Sequence, residues 1–489
     1  MTGPTAGAAG ATGRDHSVAV FVVTALAAFM ASLDLSIVNI AFPSMLRTFS
    51  ADSRSSLSWV FTGYAIAFAA LLVVAGRTAD RVGARRVFFW GLGLFCAASA
   101  MCGLAPTLVL LDVGRIVQGC GAAMMLPASL GLLLASVPDV RRTLAVARWS
   151  GIGALAVATG PTLGALLVTA GGWRWVFYVN LPIGLVAWLG GRIVLPRTPQ
   201  DASRASPDYL GALLLFCSLG SLVLGLTEGQ SWGWSSAAVL GALSASVVLG
   251  VAFVLRCAHH PEPVLDLHLF ASRTFSVANG AMVLYAMGFF AMLLSNVLFL
   301  TKVWHYSILT TGLAITPGPL VVAIVAGPAG RVASKVGFRL VLLAGSATLA
   351  TGLVLYALRV GIRPDYVGVW LPSTLLVGLG IGLTFPVLGA TAVSSLSRER
   401  FSVGSAVNQT ARQVGGSVGV AVLFVILGTS SVIGLEAFHR VWWFAAGMAV
   451  LSGLVCLALP RQARSNRAQA PAATSAQASS PGAKVPSAP

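Results

Sequence analysis

Fourteen apolar runs, each long enough to cross the roughly 30 Å hydrocarbon core of a bilayer as a helix, dominate this sequence. They fall near 18–41, 57–76, 87–105, 107–136, 145–169, 175–195, 209–228, 236–256, 275–300, 309–330, 339–358, 367–393, 404–428 and 441–460. Backbone N–H and C=O groups find no water in hydrocarbon, so runs like these must pair their own backbones, and a bundle of membrane helices is the expected fold. Only 9% of the 489 residues are charged, against about a quarter in soluble domains. The net charge of +17 is not a nucleic-acid footprint, because the arginines sit in short gaps between apolar runs. They report topology instead.

An even number of spans puts both termini on one side. With the amino terminus inside, inner segments hold 22 of the 31 Lys and Arg, outer segments hold 7, and Arg115 and Arg412 lie within spans. That bias orients both termini towards the cytoplasm. No small-residue cleavage site follows the first run, so it reads as a retained span behind a cytoplasmic tail at 1–17. After Arg461 the chain turns to Ala, Ser, Pro and Gln, and 461–489 is expected to be disordered. The six cysteines show neither metal-ligand spacing nor disulfide-like clustering and read as packing residues.

A charged stretch, G-R-T-A-D-R-V-G-A-R-R from Gly76 to Arg86, returns 254 positions later as G-R-V-A-S-K-V-G-F-R from Gly330 to Arg339. Each copy lies between apolar runs and reads as a tight turn between helices, so the chain has two related halves, as in secondary transporters. Eight spans separate the copies where two six-span halves would give six. Spans 7 and 8 are therefore read as inserted, which divides the chain into 18–200, 201–260 and 261–460. In the first copy Gly76 and Gly83 permit close approach, Arg81 and Arg85 anchor the turn, and Asp80 can pair with an arginine across the interface between halves. Ser334 stands where Asp80 does, so gating is assigned to the first copy only. The alternative is a charged turn that does no more than set topology.

Charges within spans weigh most, since each costs a few kcal/mol at the bilayer centre unless paired or hydrated. The candidates are Asp34 in span 1, Asp112 and Arg115 in span 4, Glu228 at the end of span 7 and Arg412 in span 13. Asp112 and Arg115, three apart on one face, can neutralise each other. All six histidines fall in gaps or at span ends, so a proton carried at depth must use a carboxylate. Asp34 has no basic residue three or four positions away. Burial favours its neutral form, whereas a nearby cation, substrate or Arg115, favours the charged one, and that opposition makes an exchange site. The alternative role for Asp34 is stabilisation of the bundle alone.

The motifs resemble the major facilitator superfamily, and specifically its fourteen-span drug:proton antiporters. Span 1 carries L-D-L-S-I-V-N-I-A-F-P, span 4 R-I-V-Q-G-C-G, span 5 Gly160, Pro161 and Gly164, the following loop W-R-W-V-F-Y-V-N-L-P-I-G, and span 13 R-Q-V-G-G. Thr78, Ala84, Ala156 and Ala165 depart from the family pattern. The resemblance implies an all-α integral membrane protein of two pseudo-symmetric six-helix bundles plus two inserted helices. It implies alternating access driven by the proton gradient without a cofactor or metal, and a monomer in a bacterial cytoplasmic membrane that handles protons and a small molecule. Proton coupling then falls to Asp34, Arg115 and Asp112, the antiporter motif to Gly160, Pro161 and Gly164, and the substrate cavity to Asn39, Tyr64, Gln118, Tyr285, Phe289, Asn408 and Arg412. The substrates implied are drugs or toxic amphipathic or cationic compounds. Export of a single metabolite or antibiotic, or import by the same fold, is the alternative. A membrane-embedded transferase would need acidic or histidine clusters in sizeable loops, and the longest inner loops hold none.

Overall fold

Every apolar run becomes a helix in the computed structural model, which describes residues 7–50, 54–197, 206–396, 401–428 and 434–460. Fourteen helices are long and apolar enough to cross a membrane. The first half contains α1 (Gly7–Thr48), α2 (Trp59–Val82), α3 (Ala84–Leu104), α4 (Leu108–Ala135), α5 (Asp139–Gly171) and α6 (Trp175–Val194). Then come α7 (Tyr209–Trp232) and α8 (Ala237–His259). The second half contains α9 (Arg273–Lys302), α10 (Ile308–Val336), α11 (Phe338–Arg359), α12 (Tyr366–Ser394), α13 (Phe401–Leu427) and α14 (Leu435–Cys456). The expected disordered tail at 461–489 lies outside the described residues.

Several helices outrun their apolar stretches. The Gly76 motif is mostly helix: α2 continues through Arg77, Asp80 and Arg81, and the turn proper is Gly83 alone, at φ 104° and ψ 126°. Gly337 ends α10 in the same way, at φ 100° and ψ 141°. Each glycine N–H donates to the carbonyl four residues back, of Ala79 and Ala333, at 3.0 Å. The two copies are thus equivalent in backbone as well as in sequence. Helix α14 begins at Leu435, six residues before its apolar run, because charge is tolerated in a first turn. Glu436 there complements the helix dipole, and the His439 ring bonds the Val360 carbonyl at 2.9 Å.

The halves repeat in packing. In the first, α3 lies on α4, α1 on α5 and α2 on α4; in the second, α11 lies on α12, α9 on α13 and α10 on α12, each pairing displaced by eight helices. An offset of eight rather than six makes α7 and α8 the inserted pair. Leu219 and Val223 of α7 pack against Ile66 of α2 and Ala421 of α13, so the insertion bridges both halves. Helix α8 lies outermost and exposes Val247, Val248 and Val251, the apolar surface a lipid-facing helix needs. Asp208 caps α7, accepting from Gly211 N at 2.8 Å, and pairs with Arg256 of α8 at 2.6 Å.

The end of the bundle that carries Gly83 and Gly337 is called the near side here, and the opposite end the far side. On the far side one core joins the halves, from Leu33, Ile37 and Phe42 to Leu294, Phe299 and Phe424. The near-side core of the first half, from Val20, Phe68, Phe88 and Leu132, is nearly its own. Helices α5 and α10 show the same split. Thr162 and Thr316 hydroxyls meet at 2.6 Å on the far side, where a Cβ on Gly312 would lie 2.7 Å from the Pro161 carbonyl. Further along the same stripe of α10, a Cβ on Gly327 or Gly330 would meet nothing within 4 Å. Helices α5 and α10 thus touch on the far side and leave Gly327 and Gly330 uncontacted towards the near side, while α13 stays against α2 through Thr410 and Ala406.

Candidate functional site

At the level where the two cores of the first half meet lies a layer of buried polar side chains. Asp34 on α1 is fully buried, and its Oδ2 accepts from Arg115 of α4 at 2.6 Å. Its Oδ1 accepts from Gln118 Nε2 at 2.9 Å and from Asn180 Nδ2 of α6 at 3.3 Å. Ser99 of α3 accepts from Gln118 at 2.7 Å and from Asn180 at 3.1 Å. Arg115 also donates through Nε to the Val60 carbonyl at 2.7 Å and through Nη1, the nitrogen that bonds Asp34, to Gln118 Oε1 at 2.5 Å. Its guanidinium lies over the Tyr64 ring at 4.4 Å. Five helices of the first half, α1, α2, α3, α4 and α6, therefore meet in one network around the Asp34 carboxylate.

A buried ion pair overcomes its desolvation only when further hydrogen bonds complete it, as they do here. Of the two cations considered for Asp34, a substrate or Arg115, the protein itself supplies Arg115. The hydrogen bonds of Arg115 go to Asp34, Gln118 and Val60 and none to Asp112, so the pairing read from their spacing on α4 is not the one formed. Gln118, expected in the substrate cavity, is spent on the Asp34 network. Ser99 and Asn180 were not singled out from the sequence. Asn180 stood in the W-R-W-V-F-Y-V-N-L-P-I-G stretch, but nothing along the chain says that it faces Asp34.

The remaining candidates scatter more widely. Asn39 bonds the Leu35 carbonyl of its own helix at 2.8 Å. Asn408 donates to Asn279 of α9 at 3.1 Å. Arg412 has a buried Nε without a hydrogen-bond partner in the protein and lies 5.4 Å from the Phe385 ring centroid. The buried hydroxyls of Tyr64 and Tyr285 are likewise unpartnered, and both side chains lie within range of the charge on Arg412. Phe289 stacks on Tyr285 at 5.9 Å. In the gating motif, Arg85 donates to the Arg192 carbonyl at 2.9 Å, Arg77 pairs with Glu262 at 3.1 Å, and Asp80 is exposed. Gly160 and Gly164 let α5 press against α1: a Cβ on Gly164 would sit 2.7 Å from Ile37 Cγ1. Pro161 lies within an unbroken α5 and turns its carbonyl to Gly312 of α10.

Fold, internal repeat and buried charges define a transporter of small molecules with alternating halves. The chain belongs to the Major Facilitator Superfamily, which it matches over residues 24–420 and 277–486. It is 34% identical to a "Multidrug resistance protein B homolog" of Mycobacterium tuberculosis, over 83% of this chain and 75% of that protein. It is 32% identical to a "Methylenomycin A resistance protein" of Bacillus subtilis, over 89% of this chain and 91% of that one. Among solved structures, a D-xylose–proton symporter shares the fold with a TM-score of 0.65 at 14% identity, over 91% of this chain and 98% of that one. The protein is a multi-pass membrane protein of a family that carries its substrates rather than transforming them.

Proposed function

We propose that this protein is a proton-coupled exporter of drugs or other toxic small molecules, with its near side in the cytoplasm of a bacterial inner membrane. The observation that carries the reading is the carboxylate of Asp34, buried at depth and held by an arginine and two amides where the core layers meet. Protonating Oδ2 cancels the charge and removes the acceptor that Arg115 uses, while Oδ1 still accepts from Gln118 and Asn180. Arg115 is then left buried without a counter-charge, and helix α1 is less firmly held to α4. Its other face carries α5, which forms the far-side seam with α10, so proton occupancy biases which side is open. Proton and substrate thereby shift each other's binding. The proton gradient supplies the drive without a cofactor. One chain contains both halves and the seam between them, which supports a monomer as the working unit.

The names of the relatives, multidrug resistance and methylenomycin A resistance, support export of toxic compounds. The excess of basic residues in the near-side segments supports the orientation. Everted membrane vesicles test the reading: a compound picked from a susceptibility panel on expressing cells should release protons from vesicles carrying the wild type. Asp34→Asn keeps the shape and cannot titrate, so it should abolish that release while the protein still inserts. Undiminished release from Asp34→Asn would take Asp34 out of the mechanism. Because one relative is named for a single antibiotic, a narrow exporter is the second reading, and a panel with one positive compound would favour it.

A further inference from the structure

We propose that Arg412, with the hydroxyls of Tyr64 and Tyr285, binds an acidic oxygen of the exported compound, so that the preferred substrates are planar organic anions rather than cations. The inference rests on the export reading and adds the substrate's charge and shape. Arg412 sits midway along α13, two residues from Thr410, whose hydroxyl donates to the Ala69 carbonyl of α2 across the interface between halves at 3.2 Å. In the second half, helices α9 to α13 contain no Asp or Glu at all, and the only one in α14 is Glu436 in its first turn. Among the described residues of the first half, Asp34 is already committed to Arg115. No ion pair of Arg412 exists among the described residues. Arg412 is half-buried, with its Nε sealed from solvent; a cation desolvated to that degree at membrane depth without a counter-charge is costly, and a chain retains one where a ligand completes it.

The surroundings specify what completes it. Two buried phenol hydroxyls, of Tyr64 and Tyr285, lack partners within the protein, and each is free to donate to an incoming acceptor. A guanidinium takes a carboxylate through a fork of two parallel N–H groups. Beside it runs an aromatic wall: Phe385 stacks on Tyr285 with centroids 6.0 Å apart, and Tyr285 on Phe289 at 5.9 Å and 11°. Such a wall suits a flat conjugated ring lying along it. A cation would meet Arg412 as a like charge and find no free carboxylate among these groups.

Fluorescein, a planar dianion at pH 8, and ethidium, a planar cation, are the probes. Binding to the purified full-length transporter in detergent is followed by fluorescence anisotropy. The wild type should bind fluorescein at least roughly tenfold more tightly than ethidium, and Arg412→Gln should weaken fluorescein binding by roughly tenfold or more. Arg412→Lys, which keeps the charge without the fork, should fall between them and controls for folding. Ethidium bound as tightly as fluorescein, fluorescein affinity unchanged in Arg412→Gln, or no binding of either probe would overturn the proposal. The assay needs no proton gradient, so its failure is distinguishable from failure of the export reading, which the Asp34→Asn vesicles report.

Discussion

The two halves are alike in packing and unlike in charge. Helix pairings recur at a constant offset, and the turns at Gly83 and Gly337 share one backbone conformation. Even the close helix contacts recur. Gly160 and Gly164 bring α5 onto α1, while Gly415 and Gly419, again four apart, bring α13 onto α9 at Val283 and Met287. The buried charges follow no such symmetry. The first half holds a completed carboxylate–arginine pair, and the second holds an arginine without a carboxylate. Packing is what alternation between two states requires of both halves equally, whereas the proton and the substrate each need one site. Duplication explains the scaffold, and the charges are where the two halves differ.

The same substitution at the two arginines should sharpen that contrast most. Arg115→Gln strands the Asp34 carboxylate in a sealed layer, and breaking a buried pair in this way costs about 3–5 kcal/mol. Thermal unfolding in detergent should show a clear fall in midpoint, largely recovered when Asp34→Asn is added. Arg412→Gln removes a cation that has no counter-charge and should leave the midpoint unchanged or raise it. An equal fall at both sites would mean that Arg412 is paired as a structural group, and the charge asymmetry would dissolve.

How much of this was legible in the sequence follows from the kind of neighbour each inference needed. Span number, the repeat and the insertion are properties of order along the chain, and the structure agrees with them. Asp34, Arg115 and Arg412 were conspicuous because a charge inside an apolar run is rare. Arg115 was one of two cations open to Asp34 in the sequence; the rest of the network was not legible. Spacing reports neighbours on one helix, which is why Asp112 looked like the mate of Arg115, whereas the real mate is 81 residues away on α1. Ser99 and Asn180 are ordinary polar residues until four helices are assembled around them. Helix ends were misjudged wherever charge continued the helix, as at Arg77 to Val82 and at Glu436 to Arg440, because apolar length marks where hydrocarbon ends and not where hydrogen bonding does.

A smaller effect tests the shared packing. In the first half a Cβ on Gly164 would lie 2.7 Å from Ile37 Cγ1 and 3.2 Å from its carbonyl; in the second a Cβ on Gly415 would lie 3.0 Å from Ala286 Cβ. Gly164→Val and Gly415→Val should each destabilise by about 3 kcal/mol, since backbone on the facing helix must move. Both should also slow transport in the vesicle assay. If only Gly164→Val does so, the close α13–α9 contact is a static joint, and the likeness of the halves stops at architecture.

The smallest effect falls on the turns. Gly83 and Gly337 adopt φ near 100° with ψ of 126° and 141°, a region that L side chains rarely enter, and both sit between helices that start again at the next residue. Alanine at either should cost about 1 kcal/mol through backbone strain. Because the two geometries agree so closely, the shifts in unfolding midpoint should be equal within error. Transport need not follow the same rule: the helix entering the first turn carries Arg77 in its pair with Glu262, and the helix entering the second carries Arg331 and Ser334 on an exposed face. Equal loss of stability with greater loss of transport in Gly83→Ala would place gating in the first copy. Equal loss of both would show that charge around the turn matters less than its shape.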